Sequence, residues 1–284
     1  MGLDTLTVDP TSGGQGTSSF AYSFLFLPRD QRIAMRTIYA FCRETDDIVD
    51  NPADISIRLE RLQSWQHELS LAFEGSSRTP LLLQVAEVAR RFGIPRVHFH
   101  ELIEGVGMDL KRNRYQSFDE LRVYCYHVAS SVGLMCLGIF GSSDERTKEY
   151  AINLGIALQL TNILRDVGND ACVGRIYLPQ DDLAAHGCSE GDILSRRASP
   201  AFLKLMEFEV ARAEEYFLKA DALLPAEEQG LMFPARIMQG VYFENLQRIK
   251  REGHNVLAKC IVVPRGERLL IALKLWMRHR LLRQ

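Results

Sequence analysis

The sequence predicts an all-α protein, a single-domain helical bundle, and three observations carry that prediction. Apolar residues recur at helical spacing through almost the whole chain, as at Leu59, Leu62, Trp65 and Leu69. The alternation that marks a half-buried strand appears only at residues 258–263, too short a stretch to matter. The breaks between periodic segments carry helix-ending residues, Asn51-Pro52, Gly75-Ser76-Ser77 and Gly93-Ile94-Pro95. No internal stretch rich in Gly, Ser or Pro reads as a linker in the 284 residues, so one compact unit is expected.

Taken in order, Pro28 occupies a permitted first-turn position and opens a helix that runs to Asp50, where Asn51-Pro52 stops it. Residues 55–73 form the next helix. Residues 80–92 and 95–110 follow, divided by Gly93-Ile94-Pro95. Residues 117–140 make a long helix with small and apolar side chains in its second half. Another spans 144–167, and its middle, 151–160, is apolar nearly all round, as a central buried helix requires. A turn and loop are expected at 168–174, then irregular structure and short helices through Arg197. Ser199-Pro200 starts a helix to about Leu224, residues 225–253 hold one or two more, and 265–282 form the last.

Hydrophobic residues at 46% are ample for a core, and a net charge of −2 gives no electrostatic case for nucleic acid as a partner. No uninterrupted apolar run reaches the roughly 18 residues of a spanning helix. Residues 1–17 are polar and Gly-rich, lack the features of a signal peptide and read as a flexible N-terminal arm before a catalytic domain at 18–284. The six cysteines include no C-x-x-C pair, which suits reduced thiols in a cytoplasmic protein.

The chemistry is carried by two acidic clusters. Asp46 and Asp50 are four apart, and Asn162, Asp166 and Asp170 form a ladder of fours. Four residues are about one helical turn, a rise of about 6 Å on one face. Two such faces turned toward each other suit hard divalent cations, and Mg²⁺ completes its shell with substrate phosphates. The plain alternative for either cluster alone is a solvated helix end. Arg43, Arg165 and Arg175 lie beside the ladders, either as phosphate contacts or as ion pairs that neutralise the acids.

The stretches YAFCRETDDIVD at 39–50 and TNILRDVGNDACVGRIYLPQDDL at 161–183 resemble the squalene/phytoene synthases, which join isoprenoid diphosphates head to head. The segments GVGMDL from Gly105 and NRYQSFDELRVYCYHVASSVGL to Leu134 look most like the bacterial presqualene diphosphate synthases of squalene and hopanoid biosynthesis. That resemblance implies the isoprenoid synthase fold with a central cavity and a Mg²⁺-dependent prenyltransferase that condenses two farnesyl diphosphates to presqualene diphosphate. It implies metal ligation by Asp46, Asp50, Asn162, Asp166 and Asp170, and diphosphate or substrate contact by Arg43, Gln159, Arg165, Arg175, Tyr177 and Lys259. Ser19 and Phe20, with Tyr22 nearby, fall where the family has a flap, and Tyr39 and Tyr242 fall near the reacting carbons. Phe24 is a further aromatic candidate.

Gly133, Gly138, Gly155 and Ala157 either leave room for a prenyl chain or let helices pack closely. His127 reads as a structural histidine, because the departing diphosphate is itself a competent base. Residues 268–283 alternate Leu, Ile and Trp with basic residues, so this helix either lies on a membrane surface or packs on the bundle. Within the family the rival activity is phytoene or dehydrosqualene synthesis. A non-catalytic assembly factor of the same fold is expected to lose motif carboxylates, and all are present here. Terpene cyclases carry Asn, Ser or Thr, and Glu in their second metal motif, unlike the Asn-Asp-Asp ladder.

Overall fold

The computed structural model describes residues 27–281, with side chains through Met277, and the described residues form helices and turns with no strand among them. The expected arm at 1–17, together with Ser19, Phe20, Tyr22 and Phe24, lies outside the described residues. Helix α1 (Arg29–Asp50) buries Ala34, Met35, Ile38, Phe41, Cys42, Thr45 and Val49 along one stripe. Helices α2 (Ile55–Phe73), α3 (Pro80–Phe92) and α4 (Val97–Met108) pack around α1. Helix α3 ends at Gly93 with φ 64°, a left-handed cap that a side chain would strain.

A long helix follows in three parts: α5 (Phe118–Cys125), a π-helical turn (Tyr126–Ser130) and α6 (Ser131–Phe140). By length and composition its span, Phe118–Phe140, passes as a membrane-crossing helix, yet most of it is buried within the bundle. Helix α7 (Glu145–Cys172) is the axis of the molecule. It is capped by Asp144, whose carboxylate accepts from the Thr147 N–H at 2.9 Å. The short helices α8 (Gln180–Ala185) and α9 (Glu190–Leu194) lead to α10 (Pro200–Leu223), and α11 (Phe233–Arg251) and α12 (Arg265–Leu281) complete the chain. Helix α7 packs most extensively on α10, and also on α6, α11 and the π turn.

The expected turn at 168–174 is a correction. Helix α7 continues to Cys172, so Asn162, Asp166 and Asp170 all lie on one unbroken helix. Gly168 is no breaker: a Cβ there would stand 2.9 Å from the Val256 carbonyl oxygen, so the glycine lets the 256–257 backbone lie against α7. The reversal falls at Gly174, with φ 76°.

Two other glycines seat the π turn. A Cβ on Gly105 of α4 would meet the His127 Cβ at 2.6 Å, and one on Gly155 of α7 would meet the Ser130 Cα at 2.6 Å. The π turn is thus clamped between two helices that approach to backbone contact, and the Ser130 hydroxyl donates to the Ile152 carbonyl at 2.7 Å. A Cβ on Gly138 would likewise stand 2.9 Å from the Phe92 carbonyl oxygen, so Gly138 and Gly155 serve close packing. His127 Nδ1 lies 3.0 Å from the Glu101 carbonyl, a structural placement.

Gly155→Ala is expected to destabilise the protein by about 1–3 kcal/mol through overpacking, beyond any gain in helix propensity. A lowered urea midpoint would bear this out. A midpoint equal to or above the native one would contradict the close approach.

Candidate active site

The last turn of α1 carries Asp46, half-buried, and Asp50, exposed, one turn apart. Asp46 is held well above the ordinary carboxylate range by burial and by the charges of Asp50 and Asp109. On α7, Asn162 and Asp170 are buried and Asp166 is partly so. Burial, and next Asp166 beside it, push Asp170 up to about 7.

Asp109, at the C-terminal end of α4, lies between the two ladders and was missed in the sequence. Its Oδ2 accepts from the Tyr124 hydroxyl at 3.0 Å and its Oδ1 from the Tyr177 hydroxyl at 2.8 Å. Burial raises its pKa, against the opposing pull of Arg175 and the two tyrosines. The rings of Tyr124 and Tyr177 stack with centroids 5.3 Å apart, and Tyr115 stacks on Tyr177 at 5.9 Å. This aromatic wall forms because residues 175–180 fold back along 113–116, with Ile176 N–H donating to Asn113 O and Gln180 N–H to Tyr115 O. The only local signal for Asp109 was an acid closing the apolar, Gly-containing run LIEGVGM.

The cations divide between the cleft and the outer surface. Arg175, half-buried, stands near Asp109 and Asp50, whose charges help raise its pKa against the cost of burial. The Arg165 guanidinium is buried; the paired Asp166 carboxylate offsets its desolvation, with Nε to Oδ1 at 2.8 Å and a second nitrogen on Oδ2. Arg43 instead pairs with Asp47 at 3.0 Å on an exposed part of α1. Lys259 pairs with Glu252 at 2.5 Å and is 66% exposed, so the fold does not bring it to the carboxylates. Its neighbour Cys260 does reach them, with Sγ 3.6 Å from Asp166 Oδ1.

Among the described residues no three His, Cys, Asp or Glu side chains stand close enough to hold a metal by themselves. The donor set, two carboxylates on α1 and two carboxylates with one amide on α7, fits Mg²⁺ ions whose remaining positions would be filled by phosphate oxygens. The raised pKa values fit as well: burial raises Asp46 and Asp170 first, and neighbouring acids add to it.

Below the carboxylates the lining changes character. Asp46, Asp50, Asp109 and Tyr124 share a polar notch with Val128, and Val128 also lines an apolar cavity between α6, α7 and α11 with about 90 Å³ of room for the centre of a water molecule. Gln159 and Asn162 stand at its head, with Asn162 Nδ2 donating to Gln159 Oε1 at 3.3 Å. Tyr242, 4% exposed, lines the same cavity and influences Arg165. Gly133 and Gly155 also line it, so of the two readings offered for these glycines, room and close packing, Gly155 meets both. Tyr39 is half-buried on α1 and packs against the main core.

Three comparisons bear on this arrangement. The squalene/phytoene synthase family profile matches residues 14–268. A phytoene synthase of Arthrospira platensis is 37% identical over 273 residues, covering 90% of this chain and 88% of that protein. The chloroplastic phytoene synthase 3 of Zea mays is 36% identical, and the chain spans only 60% of its length. Among solved structures, the squalene synthase HpnC of Alicyclobacillus acidocaldarius superposes with a TM-score of 0.74 at 32% identity, over 83% of this chain and 89% of that one. A dehydrosqualene synthase solved with a ligand gives 0.80 at 25% identity, over 93% of each chain. The chain belongs to the squalene/phytoene synthase family, whose members are prenyltransferases.

Proposed function

We propose that this protein condenses two molecules of farnesyl diphosphate head to head into presqualene diphosphate, releasing one diphosphate, in squalene or hopanoid biosynthesis. The observation that carries this reading is the passage, at Val128, from a notch lined by Asp46, Asp50 and Asp109 into one apolar cavity that Asn162 also lines. A substrate with an anionic head and a hydrocarbon tail matches that change of polarity.

Asp46, Asp50, Asn162, Asp166 and Asp170 are the donors we assign to Mg²⁺. Bound there, Mg²⁺ neutralises the negative charge that grows on the diphosphate as the allylic carbon–oxygen bond breaks. Arg175 and Arg165 add positive charge beside the same oxygens, Arg165 already oriented by Asp166 and Arg175 drawn by the charge of Asp109. The apolar cavity keeps water from the allylic cation, and the face of Tyr242, with Tyr39 on α1, stabilises it. The double bond of the second farnesyl group attacks the cation. Loss of a proton to the departed diphosphate then closes the cyclopropane. Conversion to squalene would need a hydride donor, and the sequence carries no Gly-rich dinucleotide fingerprint.

The similarity to phytoene synthases favours a second reading, synthesis of phytoene or dehydrosqualene. Pure protein incubated with Mg²⁺ and farnesyl or geranylgeranyl diphosphate separates the two. Presqualene alcohol from farnesyl diphosphate, seen only after phosphatase treatment and with or without NADPH, is the expected result. Phytoene, dehydrosqualene or squalene as the main product would refute the proposed product and leave head-to-head coupling standing.

We also assign the protein to the cytoplasmic face of a membrane. Helix α12 rests on α11 through Ala272, Leu275 and Trp276, and leaves Leu269, Leu270, Leu273 and Met277 exposed beside the basic Arg265 and Lys274. Such a face suits an anionic lipid surface. Leu270→Glu with Leu273→Glu is expected to cut co-sedimentation with anionic phospholipid vesicles at least fivefold. Unchanged binding, or none by the native protein, would sink the assignment.

A further inference from the structure

The apolar cavity has a foot as well as a head. Its lining on α7 runs down one stripe, from Asn162 through Leu158 and Leu154 to Tyr150. Twelve residues of helix separate Asn162 from Tyr150, a depth of about 18 Å. Phe140 of α6 and Met232, ahead of α11, line the same cavity.

Tyr150 is held where it is by a chain of hydrogen bonds that leads away from the cavity. It is fully buried, and its hydroxyl donates to Gln239 Oε1 at 3.2 Å. Gln239 Nε2 donates in turn to Asp221 Oδ1 at 2.7 Å, so α7, α11 and α10 are linked through one ring. A core that needed only apolar filling would have no use for this tether. Anchored at its hydroxyl, the ring cannot swing aside to let a longer chain pass without taking the hydroxyl's hydrogen bond from Gln239 Oε1.

We propose that Tyr150, pinned by Gln239 and Asp221, is the floor that sets the length of prenyl chain this enzyme accepts in one of its two substrate positions. The inference rests on the reading that the cavity holds a prenyl tail. Contact with the floor takes about 4 Å of the depth, which leaves roughly 14 Å. A farnesyl main chain has eleven carbon–carbon bonds of about 1.5 Å, which in a staggered zigzag extend roughly 14 Å, whereas a geranylgeranyl chain needs roughly 19 Å. Truncating Tyr150 to alanine removes six ring carbons and an oxygen, more than the five carbons by which the longer substrate exceeds the shorter.

The test is the ratio of kcat/KM for geranylgeranyl diphosphate to that for farnesyl diphosphate, measured with Mg²⁺ on the full-length native protein and on Tyr150→Ala. The ratio is expected to rise at least tenfold in the variant, mainly through a lower KM for the longer substrate. If Tyr150→Ala does not fold, as judged by circular dichroism, Tyr150→Leu carries the same test with less lost volume and an expected rise of at least threefold. A folded variant whose ratio stays within twofold of the native value would overturn the floor. The native product decides the proposed reaction and the shift between native and variant decides the floor, so the two fail separately.

Discussion

The structure depends on keeping five acids, Asp46, Asp50, Asp109, Asp166 and Asp170, near the rim of an apolar cavity with only Arg165 and Arg175 set among them. Two unit charges about 4 Å apart cost on the order of 4 kcal/mol at the effective dielectric of a protein surface. That repulsion adds to burial in raising the pKa values of Asp46 and Asp170, whereas Asp109 is raised by burial alone. A cation and an anionic substrate arriving together remove the repulsion at a stroke. The strain is tolerable only because the helices bearing the acids are fixed independently of them.

That fixing is done by α7 and by the glycines around the π turn. Helix α7 is buried on nearly every side, so its ladder has no freedom to retreat from the opposite acids. Gly105 and Gly155 let α4 and α7 close on the π turn to backbone contact. The clamp presents Val128 to both the polar notch and the apolar cavity. Arg165 and Arg175 are each committed to an acid beside the cleft. The site therefore keeps fixed positive charge for diphosphate even though the acids dominate it.

Much of this was legible in the sequence because it is local. The helices at 55–73 and 80–92 were bounded by Gly and Pro signals and fall where expected. The four-residue spacing of both ladders was visible as a pattern on a single helix face. What was not legible depends on contacts made at a distance. Gly168 read as a breaker because glycine ends helices often, whereas here its missing side chain admits the 256–257 backbone. Asp109 gained its place from Tyr177, 68 residues away, and no periodicity announces such a bond. Lys259 and Cys260 are neighbours, and only the fold distinguishes the one turned to Glu252 from the one beside Asp166.

The central claim is that the two ladders are one site completed by diphosphate. Binding of Mn²⁺ as a stand-in for Mg²⁺, followed by electron paramagnetic resonance with and without inorganic diphosphate, tests it most directly. The account predicts weak binding alone and at least tenfold tighter binding with diphosphate, a gain of about 1.4 kcal/mol. That gain should be lost in Asp50→Asn and equally in Asp166→Asn, each still folded. Survival of the full gain in either variant would contradict the account, because one ladder would then be holding the ions without the other.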